Sequence, residues 1–226
     1  VIAPNRFVYE SYEKLGMPLA KATVIAHGID VPSRVLNAAP RPPRSAGEPL
    51  NVIYVGSMAH QKGVHVLVDA LNGLPAGQVR LTLYGDLDKF PEYVAMLRER
   101  TSHPGITFAG RIERDELWSI LLDEVDVAVL PTLWYEVSPL TIQELFAARV
   151  PIVASNIGAL PAMIRHEVDG LLFEPGNAIA LRAALARLIS DPALLSQLRA
   201  AIQPTRLTAE HVAELMALYE SVIGTH

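Results

Sequence analysis

The central part of the chain alternates short, nearly unbroken apolar segments with longer amphipathic ones. The apolar segments are rich in β-branched residues and predict strands at residues 51–55, 79–84, 106–109, 126–130 and 152–154. The amphipathic segments predict helices at residues 63–71, 91–102, 114–122, 139–148 and 159–164. Alternating strands and helices, with strands that are apolar throughout, predict a parallel sheet buried on both faces. With right-handed crossovers this is a doubly wound, Rossmann-like α/β fold.

Beyond residues 170–173 the pattern becomes helical, with predicted helices at 178–190, 192–201 and 208–223. The last of these carries apolar residues on one face, which requires a partner surface. A Pro- and Arg-rich stretch at residues 40–47 predicts a linker or an exposed loop, and residues 1–30 are too short to fold alone. The predicted units are therefore a leading segment at 1–30, a domain at 31–204 and a final helix at 205–226.

Composition supports a folded domain and narrows its partners. The 226 residues are 50% hydrophobic and 19% charged, which is enough for a complete core. A net charge of −5 provides no generally basic surface, so nucleic acid is excluded as a partner. The absence of cysteine excludes disulfides and thiolate metal sites and is compatible with a cytoplasmic location.

The ends of the sequence add one expectation. No segment approaches the roughly 20 apolar residues that cross a membrane. The sequence begins at Val1, with neither an initiator methionine nor a basic leader region. We therefore expect a fragment that lacks its upstream part.

A parallel sheet of this kind binds ligands outside the carboxyl ends of its strands. The residues that follow the predicted strands are Gly56, Gly85, Gly110, Pro131 and Ser155. Three glycines at three strand exits indicate either a ligand that comes close to the backbone or ordinary strand–helix turns, and the pattern alone leaves both interpretations open.

One segment, residues 134–145, combines a helix start with carboxylates. Ser138 followed by Pro139 is typical of an N-cap and a first helical position. The amides of Leu140 and Thr141 then lie in the first turn without acceptors, and such amides at a positive helix end bind anions.

The two glutamates of this segment can accept hydrogen bonds from a polyol. Glu144 lies on the same predicted helical face as Leu140 and Thr141, about one turn away. Glu136 precedes the helix and can bind a second group of hydroxyls. The alternative is an ordinary capped helix with two solvated glutamates.

Two cations are candidates for the neutralisation of phosphate charge. Lys62 lies in the loop that leaves the first long strand, and Arg111 directly follows Gly110 at another strand exit. Asp86 and Asp88 have a spacing that holds divalent metals elsewhere, but between a strand and a helix two acids more often serve as caps. No metal site is predicted.

At this point the sequence resembles a known family. The spacing Glu136-x7-Glu144 is similar to the paired-glutamate motif of retaining GT-B glycosyltransferases of the group 1 (family 4) type. Further matches occur in the same order along the chain at residues 55–57, 62–63, 108–110, 151–155, 158 and 169–173. The resemblance implies the C-terminal, donor-binding half of a GT-B fold, and an enzyme that transfers a hexosyl or related sugar from a nucleotide diphosphate sugar to an unidentified acceptor.

The resemblance also implies roles for individual residues. Glu144 would bind the ribose, and Glu136 the hydroxyls of the transferred sugar. Lys62 would contact the diphosphate and, with Glu136, form the catalytic pair. The other donor contacts would come from the amides of Leu140 and Thr141 and from Gly56, Ser57 and Arg111. Neither a metal nor another cofactor is expected.

The ends of the chain fit the same scheme. Residues 3–7 and 24–30 resemble the end of the family's N-terminal domain and its crossover, and the family's last helix returns to that domain. We therefore expect residues 1–23 to pack against residues 208–223. The acceptor site, and any association with a membrane, would belong to the missing N-terminal domain, so this fragment would bind nucleotide weakly and transfer nothing.

The sequence departs from the family pattern at three places. Ser57 stands where the family often has arginine, Ser138-Pro139 where it has Phe-Gly, and Leu87 where a second glycine is common. Two other functions stay open: a non-catalytic nucleotide-binding or scaffolding module with a GT-B half fold, and a nucleotide-sugar epimerase. The epimerase would require acid and base residues near the anomeric carbon, which fits the context of Glu136 and Glu144 less well.

Overall fold

A computed structural model describes residues 1–20, 22–39, 41–45 and 47–223, and its main feature is a six-stranded parallel sheet. The order of the strands across the sheet is β5-β4-β3-β6-β7-β8. The strands are β1 (Ile2–Ala3), β2 (Thr23–Val24), β3 (Leu50–Val55), β4 (Val79–Tyr84), β5 (Ile106–Gly110), β6 (Val127–Leu130), β7 (Ile152–Ser155) and β8 (Gly170–Phe173). All strand pairs are parallel, which confirms the predicted α/β sheet.

Helices cover both faces of this sheet. The helices of the described residues are α1 (Arg6–Lys14), α2 (Ser33–Leu36), α3 (Val64–Asn72), α4 (Pro91–Arg100), α5 (Arg114–Asp123), α6 (Leu140–Ala147), α7 (Leu160–Met163), α8 (Ala178–Ser190), α9 (Pro192–Ala200) and α10 (Thr208–Ile223). Neighbouring residues of β3 face opposite cores: Val52 packs with α3, α8 and α9, whereas Ile53 packs with α5, α6 and α7. Burial on both faces explains why the strands are apolar throughout.

Five of these elements were not predicted from the sequence. Strand β8 contains four residues and begins with Gly170, a composition that resembles a turn. It pairs with β7 from Ile152↔Gly170 to Ser155↔Phe173 and forms an edge of the sheet. The others are α1, α2, β1 and β2, and the two strands pair with each other in parallel.

Residues 40–47 were predicted to form a linker or exposed loop, and for Arg44 this was wrong. Its side chain is only 9% exposed. The guanidinium donates to the carbonyl of Glu48 and to those of Leu188 and Ile189. The last two lie in the final turn of α8, where carbonyls have no partner within the helix, so Arg44 satisfies them. Residues 40 and 46 lie outside the described part of the chain.

The final helix is not covered in the way that the sequence analysis predicted. Residues 26–29 contact the start of α10 and the residue before it: Ile29 bridges to Leu207, and the His211 ring nitrogen lies 2.9 Å from the Ala26 carbonyl oxygen. Five apolar side chains of α10 stay exposed, namely Val212, Met216, Tyr219, Val222 and Ile223, while Leu215 and Leu218 are half-buried. The prediction that residues 1–23 cover this face was therefore wrong. The domain boundaries near residues 30 and 204 stay a prediction.

Among the helices of the described residues, none is both long and apolar enough to cross a lipid bilayer.

The loop after β3 lies very close to the end of β6. Gly63 has a left-handed φ of 70°, and a Cβ atom there would lie 1.9 Å from the carbonyl oxygen of Pro131. Only glycine combines this conformation with this distance. The contact holds the turn at His60–Lys62 against the neighbouring strand exit.

Replacing Gly63 with alanine is expected to destabilise the fold by more than about 2 kcal/mol, because it adds a backbone clash to the strain of a left-handed residue. Gly77→Ala is the matched control, since Gly77 has φ 83° but open space around it. Gly77→Ala should lower the free energy of unfolding by only about 1–2 kcal/mol. Urea unfolding measures both variants, and equal losses would show that the close approach to Pro131 is unimportant.

Candidate functional site

A cleft opens at the carboxyl edge of the sheet, between β3 and β6. The chain builds outward from β3 through β4 to β5 and then returns to β6 on the other side of β3, so this is a topological switch point. The cavity has a volume of about 220 Å³. Its polar lining includes Gly56, Ser57, Lys62, Thr132, Glu136 and Thr141.

Hydrogen bonds join the loops that form the two sides of this cleft. The carbonyl of Gln61 accepts from the Leu133 amide at 2.8 Å and from the Thr132 hydroxyl at 3.1 Å. Together with the contact between Gly63 and Pro131, these bonds fix Lys62 at the mouth of the cleft. The sequence analysis placed Lys62 in this loop but did not identify the neighbouring loop that holds it.

Lys62 and Glu136 form an ion pair across the cleft. The Nζ atom of Lys62 lies 2.5 Å from Oε1 of Glu136, with 35% and 19% of the side chains exposed. The Thr132 hydroxyl lies 3.4 Å from the same carboxylate oxygen. An ammonium group can neutralise an anionic ligand, and a carboxylate can accept from ligand hydroxyls, so the cleft offers complementary groups within a few ångströms.

A glycine positions the backbone of Glu136. Gly158 has a left-handed φ of 62°, and a Cβ atom there would lie 2.9 Å from the Glu136 nitrogen. The next residue, Ala159, donates its amide to the Glu136 carbonyl at 3.0 Å. The loop after β7 therefore supports the loop that carries the carboxylate.

Helix α6 begins one residue later than predicted. Pro139 occupies the N-cap position with an extended ψ of 116°, and within the described chain no side chain caps the helix, so Ser138 is not the N-cap. Pro139 accepts from the Ile142 amide at 3.2 Å. The amides of Leu140 and Thr141 donate to no acceptor among the described residues. The predicted pair of available amides therefore exists without a side-chain cap.

Glu144 lies one turn into α6, outside the lining of the cavity, and its partner is a residue that the sequence analysis missed. Its Oε1 atom lies 3.2 Å from Nη2 of Arg114, the first residue of α5. Burial raises the pKa of Glu144, and the charge of Arg114 opposes this effect. The position of Arg114 near a strand exit was a weak signal, but the pairing depends on how α5 and α6 pack.

Arg111 is farther from the cleft than the other candidates. It follows the edge strand β5, and its Nη2 atom lies 2.6 Å from Oδ2 of Asp86, with 78% of the arginine side chain exposed. Asp86 also accepts from the amides of Asp88 and Lys89, and these hydrogen bonds together with Arg111 lower the pKa of Asp86. Asp86 thus closes a turn. It does not cap α4, which begins at Pro91, so the interpretation of this acid as a helix cap was wrong.

The loop that carries Glu136 also exposes apolar side chains, which the sequence analysis did not identify. Trp134, Tyr135 and Val137 are each more than half exposed. Phe7 stacks on Tyr135 with ring centroids 6.2 Å apart, and the Asn5 side-chain amide donates to the Val137 carbonyl. The N-terminal segment therefore contacts this loop.

Metal binding has no structural support in the described ranges, since no three histidine or carboxylate side chains there converge in a way that could hold an ion.

Comparison with known proteins gives a consistent family match. The sequence profile of "Glycosyl transferases group 1" matches residues 37–204. Glycogen synthase from Mycobacterium tuberculosis (strain ATCC 25618 / H37Rv) is 34% identical over 203 residues, which cover 89% of this chain and 47% of that protein. An amylovoran biosynthesis glycosyltransferase from Erwinia amylovora is 29% identical over 176 residues, which cover 74% of this chain and 41% of that protein. The chain thus spans about half the length of these relatives.

Solved structures share the fold over the whole chain. A sucrose-phosphate synthase from Thermosynechococcus elongatus superposes with a TM-score of 0.79 at 25% identity, covering 100% of this chain and 59% of that one. Anabaena Alr3699/HepE, solved in complex with UDP, gives a TM-score of 0.80 at 20% identity. The superposition covers 98% of this chain and 63% of that one.

Glu144→Gln is expected to increase the free energy of unfolding at neutral pH. Because burial raises the pKa of Glu144, the folded chain holds this proton more tightly than the unfolded chain does. The stabilisation by the protonated form is present in acid and is lost as pH rises through the folded pKa. The difference in free energy of unfolding between Glu144→Gln and the unchanged chain should therefore grow from acid to neutral pH, in favour of the variant.

Urea unfolding at several pH values tests this expectation. Glu99→Gln, which changes an exposed carboxylate on α4, is the control and should give no such trend. A difference between Glu144→Gln and the unchanged chain that is constant with pH would contradict the expectation.

Proposed function

The chain belongs to the group 1 glycosyl transferases, and from this we propose that it forms the donor-binding half of an enzyme that transfers a sugar from a nucleotide diphosphate sugar. The observation that carries the proposal is the cleft between β3 and β6, which is lined by Lys62, Glu136 and Thr141 of α6. Structures of similar fold that are described in complex with UDP support a nucleotide as the ligand.

Each group of the site has a proposed task. Lys62 and the amides of Leu140 and Thr141 bind the diphosphate, where a helix N-terminus and an ammonium group both favour negative charge. Glu144 accepts from the ribose hydroxyls, and Glu136 accepts from hydroxyls of the transferred sugar. Gly56 and Ser57 line the cleft and allow the diphosphate to approach the backbone.

Binding of the donor must change the ion pair between Lys62 and Glu136. A diphosphate oxygen competes with the Glu136 carboxylate for the ammonium group, and sugar hydroxyls replace the lysine as partners of the carboxylate. The exchange keeps both groups hydrogen-bonded, and before the donor arrives the ion pair holds both side chains near their working positions.

The proposed reaction retains the anomeric configuration. The acceptor oxygen bonds to the anomeric carbon on the face from which the diphosphate leaves, and the acceptor proton passes to the departing phosphate oxygen. Lys62 and the two α6 amides stabilise the charge that develops on the diphosphate, as preorganised donors do in other enzymes, and no metal or cofactor takes part.

Two features of the chain affect this scheme. Ser57 stands where the family often has arginine, so the charge of Lys62 gains importance. Arg111 can contribute to the donor site only if it leaves Asp86, because the two form an ion pair near the edge strand β5.

The remaining tasks of a transferase are assigned to a part of the protein outside this chain. We propose that a separate N-terminal domain binds the acceptor and makes any membrane contact, that nucleic acid is not a partner, and that the protein acts in the cytoplasm. The 226-residue chain would then bind nucleotide without transferring sugar. Binding without turnover in the full-length protein would instead favour a non-catalytic nucleotide-binding module.

Calorimetric titration of the chain with UDP, GDP and ADP tests the proposed function. At least one nucleotide should bind at a single site, and Lys62→Met should weaken that binding by about tenfold or more, since a charge-assisted hydrogen bond contributes about 1.5–3 kcal/mol. Lys14→Met, at the end of α1, removes the same charge away from the cleft and should have little effect. An intact chain that binds none of the three nucleotides would refute the proposal.

Gly158→Ala should selectively weaken binding of the sugar part of the donor. The new Cβ atom displaces the backbone of Glu136, while Lys62 and the α6 amides stay in place. We expect lower affinity for UDP-glucose, GDP-mannose or ADP-glucose, whichever binds, and little change for the matching nucleotide diphosphate. Gly176→Ala is the control, because Gly176 also has a positive φ but an ordinary 3.6 Å contact. Equal losses for nucleotide and nucleotide sugar would contradict this role of Glu136.

A further inference from the structure

Arg114 is a cation at the carboxyl edge of the sheet to which the proposed function gives no task. Its Nη2 atom lies 3.2 Å from Oε1 of Glu144 and 3.3 Å from the carbonyl oxygen of Asp30. A single guanidinium group therefore joins three separate elements: helix α5, helix α6 and the segment that precedes α2.

The position of Arg114 within its own helix is unfavourable. It is the first residue of α5, where the helix dipole favours negative charge, and Asp115 and Glu116 supply that charge in the same turn. An arginine at this position is unfavourable for the helix itself. The contacts with Glu144 and Asp30 lie outside the helix and are the interactions that favour an arginine there.

The geometry at Glu144 leaves one of the two carboxylate oxygens for a ligand. Oε1 faces Arg114, and no hydrogen bond within the described chain reaches Oε2. The side chain is 19% exposed, so it keeps an opening toward solvent. A carboxylate fixed at one oxygen presents the other in a defined direction, as a site for hydroxyl groups requires.

We propose that Arg114 is a positioning residue of the donor site, which holds one oxygen of Glu144 and the carbonyl of Asp30 so that the other carboxylate oxygen receives the ribose hydroxyls. The inference rests on the proposed function, because it assumes that Glu144 binds ribose. It adds a residue that touches neither the nucleotide nor the sugar and acts through Glu144.

The protonation state of Glu144 gives this role a measurable signature. Burial raises the pKa of Glu144, and Arg114 is the charged group that lowers it. The neighbouring elements carry the acidic residues Asp30, Glu113, Asp115 and Glu116, whereas the cation on α2, Arg34, lies 3.8 Å from Asp115 and pairs there. Loss of Arg114 would therefore leave Glu144 without a compensating cation, and its pKa would rise further.

The contact with Asp30 connects the ribose site to the segment that pairs with the start of the last helix. Ile29, next to Asp30, bridges to Leu207, which immediately precedes α10. The guanidinium thus anchors Glu144 to a segment outside the sheet, which limits how far α5 and α6 can move apart when a nucleotide enters.

The test measures the affinity for UDP, or for whichever of UDP, GDP and ADP binds the chain, between pH 5.5 and 8.5. The variants are Arg114→Gln, Arg114→Lys and Glu144→Gln. Arg34→Gln is the matched control, because Arg34 also bonds to α5, at Ser119 and at the Asp115 carbonyl, but does not contact Glu144. The terminal phosphate of the nucleotide itself titrates at about pH 6 and changes every affinity. To remove this effect, each affinity is divided by that of Glu144→Gln at the same pH.

In the unchanged chain this ratio should fall in acid as Glu144 takes up a proton. Arg114→Gln should move the fall to higher pH and weaken binding at neutral pH roughly two- to fivefold, the range of a partly exposed ion pair. Arg114→Lys should keep part of the pH profile of the unchanged chain. The control Arg34→Gln should keep the whole profile. In the double variant Arg114→Gln/Glu144→Gln, the loss caused by the arginine change should largely disappear.

Two results would overturn the proposal. One is an Arg114→Gln profile with the same pH dependence as the unchanged chain, and the other is an equal loss of affinity with and without Glu144, which would mean that Arg114 contacts the nucleotide directly. Failure of the proposed function itself looks different, because then the unchanged chain binds no nucleotide at any pH.

Discussion

The close approach of two loops is the constraint on which the candidate site depends. Gly63 lies against the carbonyl of Pro131, and this contact brings the exits of β3 and β6 together at the point where the sheet changes direction. Lys62 and Glu136 are 74 residues apart in sequence and meet only because of it. A side chain at position 63 would separate the loops, and the cation and the carboxylate would then face solvent independently.

The site keeps several polar groups in states that do not favour stability. The amides of Leu140 and Thr141 have no acceptor among the described residues, and burial disfavours the charge of Glu144. A well-packed domain with two large cores can tolerate such local costs, and they are concentrated at one edge of the sheet. Groups that destabilise the free protein in this way are available to bind a ligand, which is the usual relation between stability and function.

Two surfaces of the chain expose apolar side chains. The loop of Glu136 exposes Trp134, Tyr135 and Val137, and the last helix exposes a row of apolar side chains. Residues 5 and 7 already contact the first of these surfaces. The chain spans about half the length of its relatives, and a partner domain in the proposed full-length enzyme would cover such surfaces.

The α/β class, most of the strands and helices, and the family could be predicted from the amino-acid sequence, because hydrophobic periodicity and the Glu136-x7-Glu144 spacing are local signals. Strand β8 was not predicted, because four residues that begin with glycine resemble a turn. The partners of the candidate residues were decided by the tertiary structure alone. Lys62 with Glu136, and Arg114 with Glu144, are distant in sequence and meet through the packing of loops and helices. The start of α6 at Leu140, the burial of Arg44 and the exposed face of α10 also depend on neighbours that no local pattern identifies. That these residues contact a nucleotide stays a prediction.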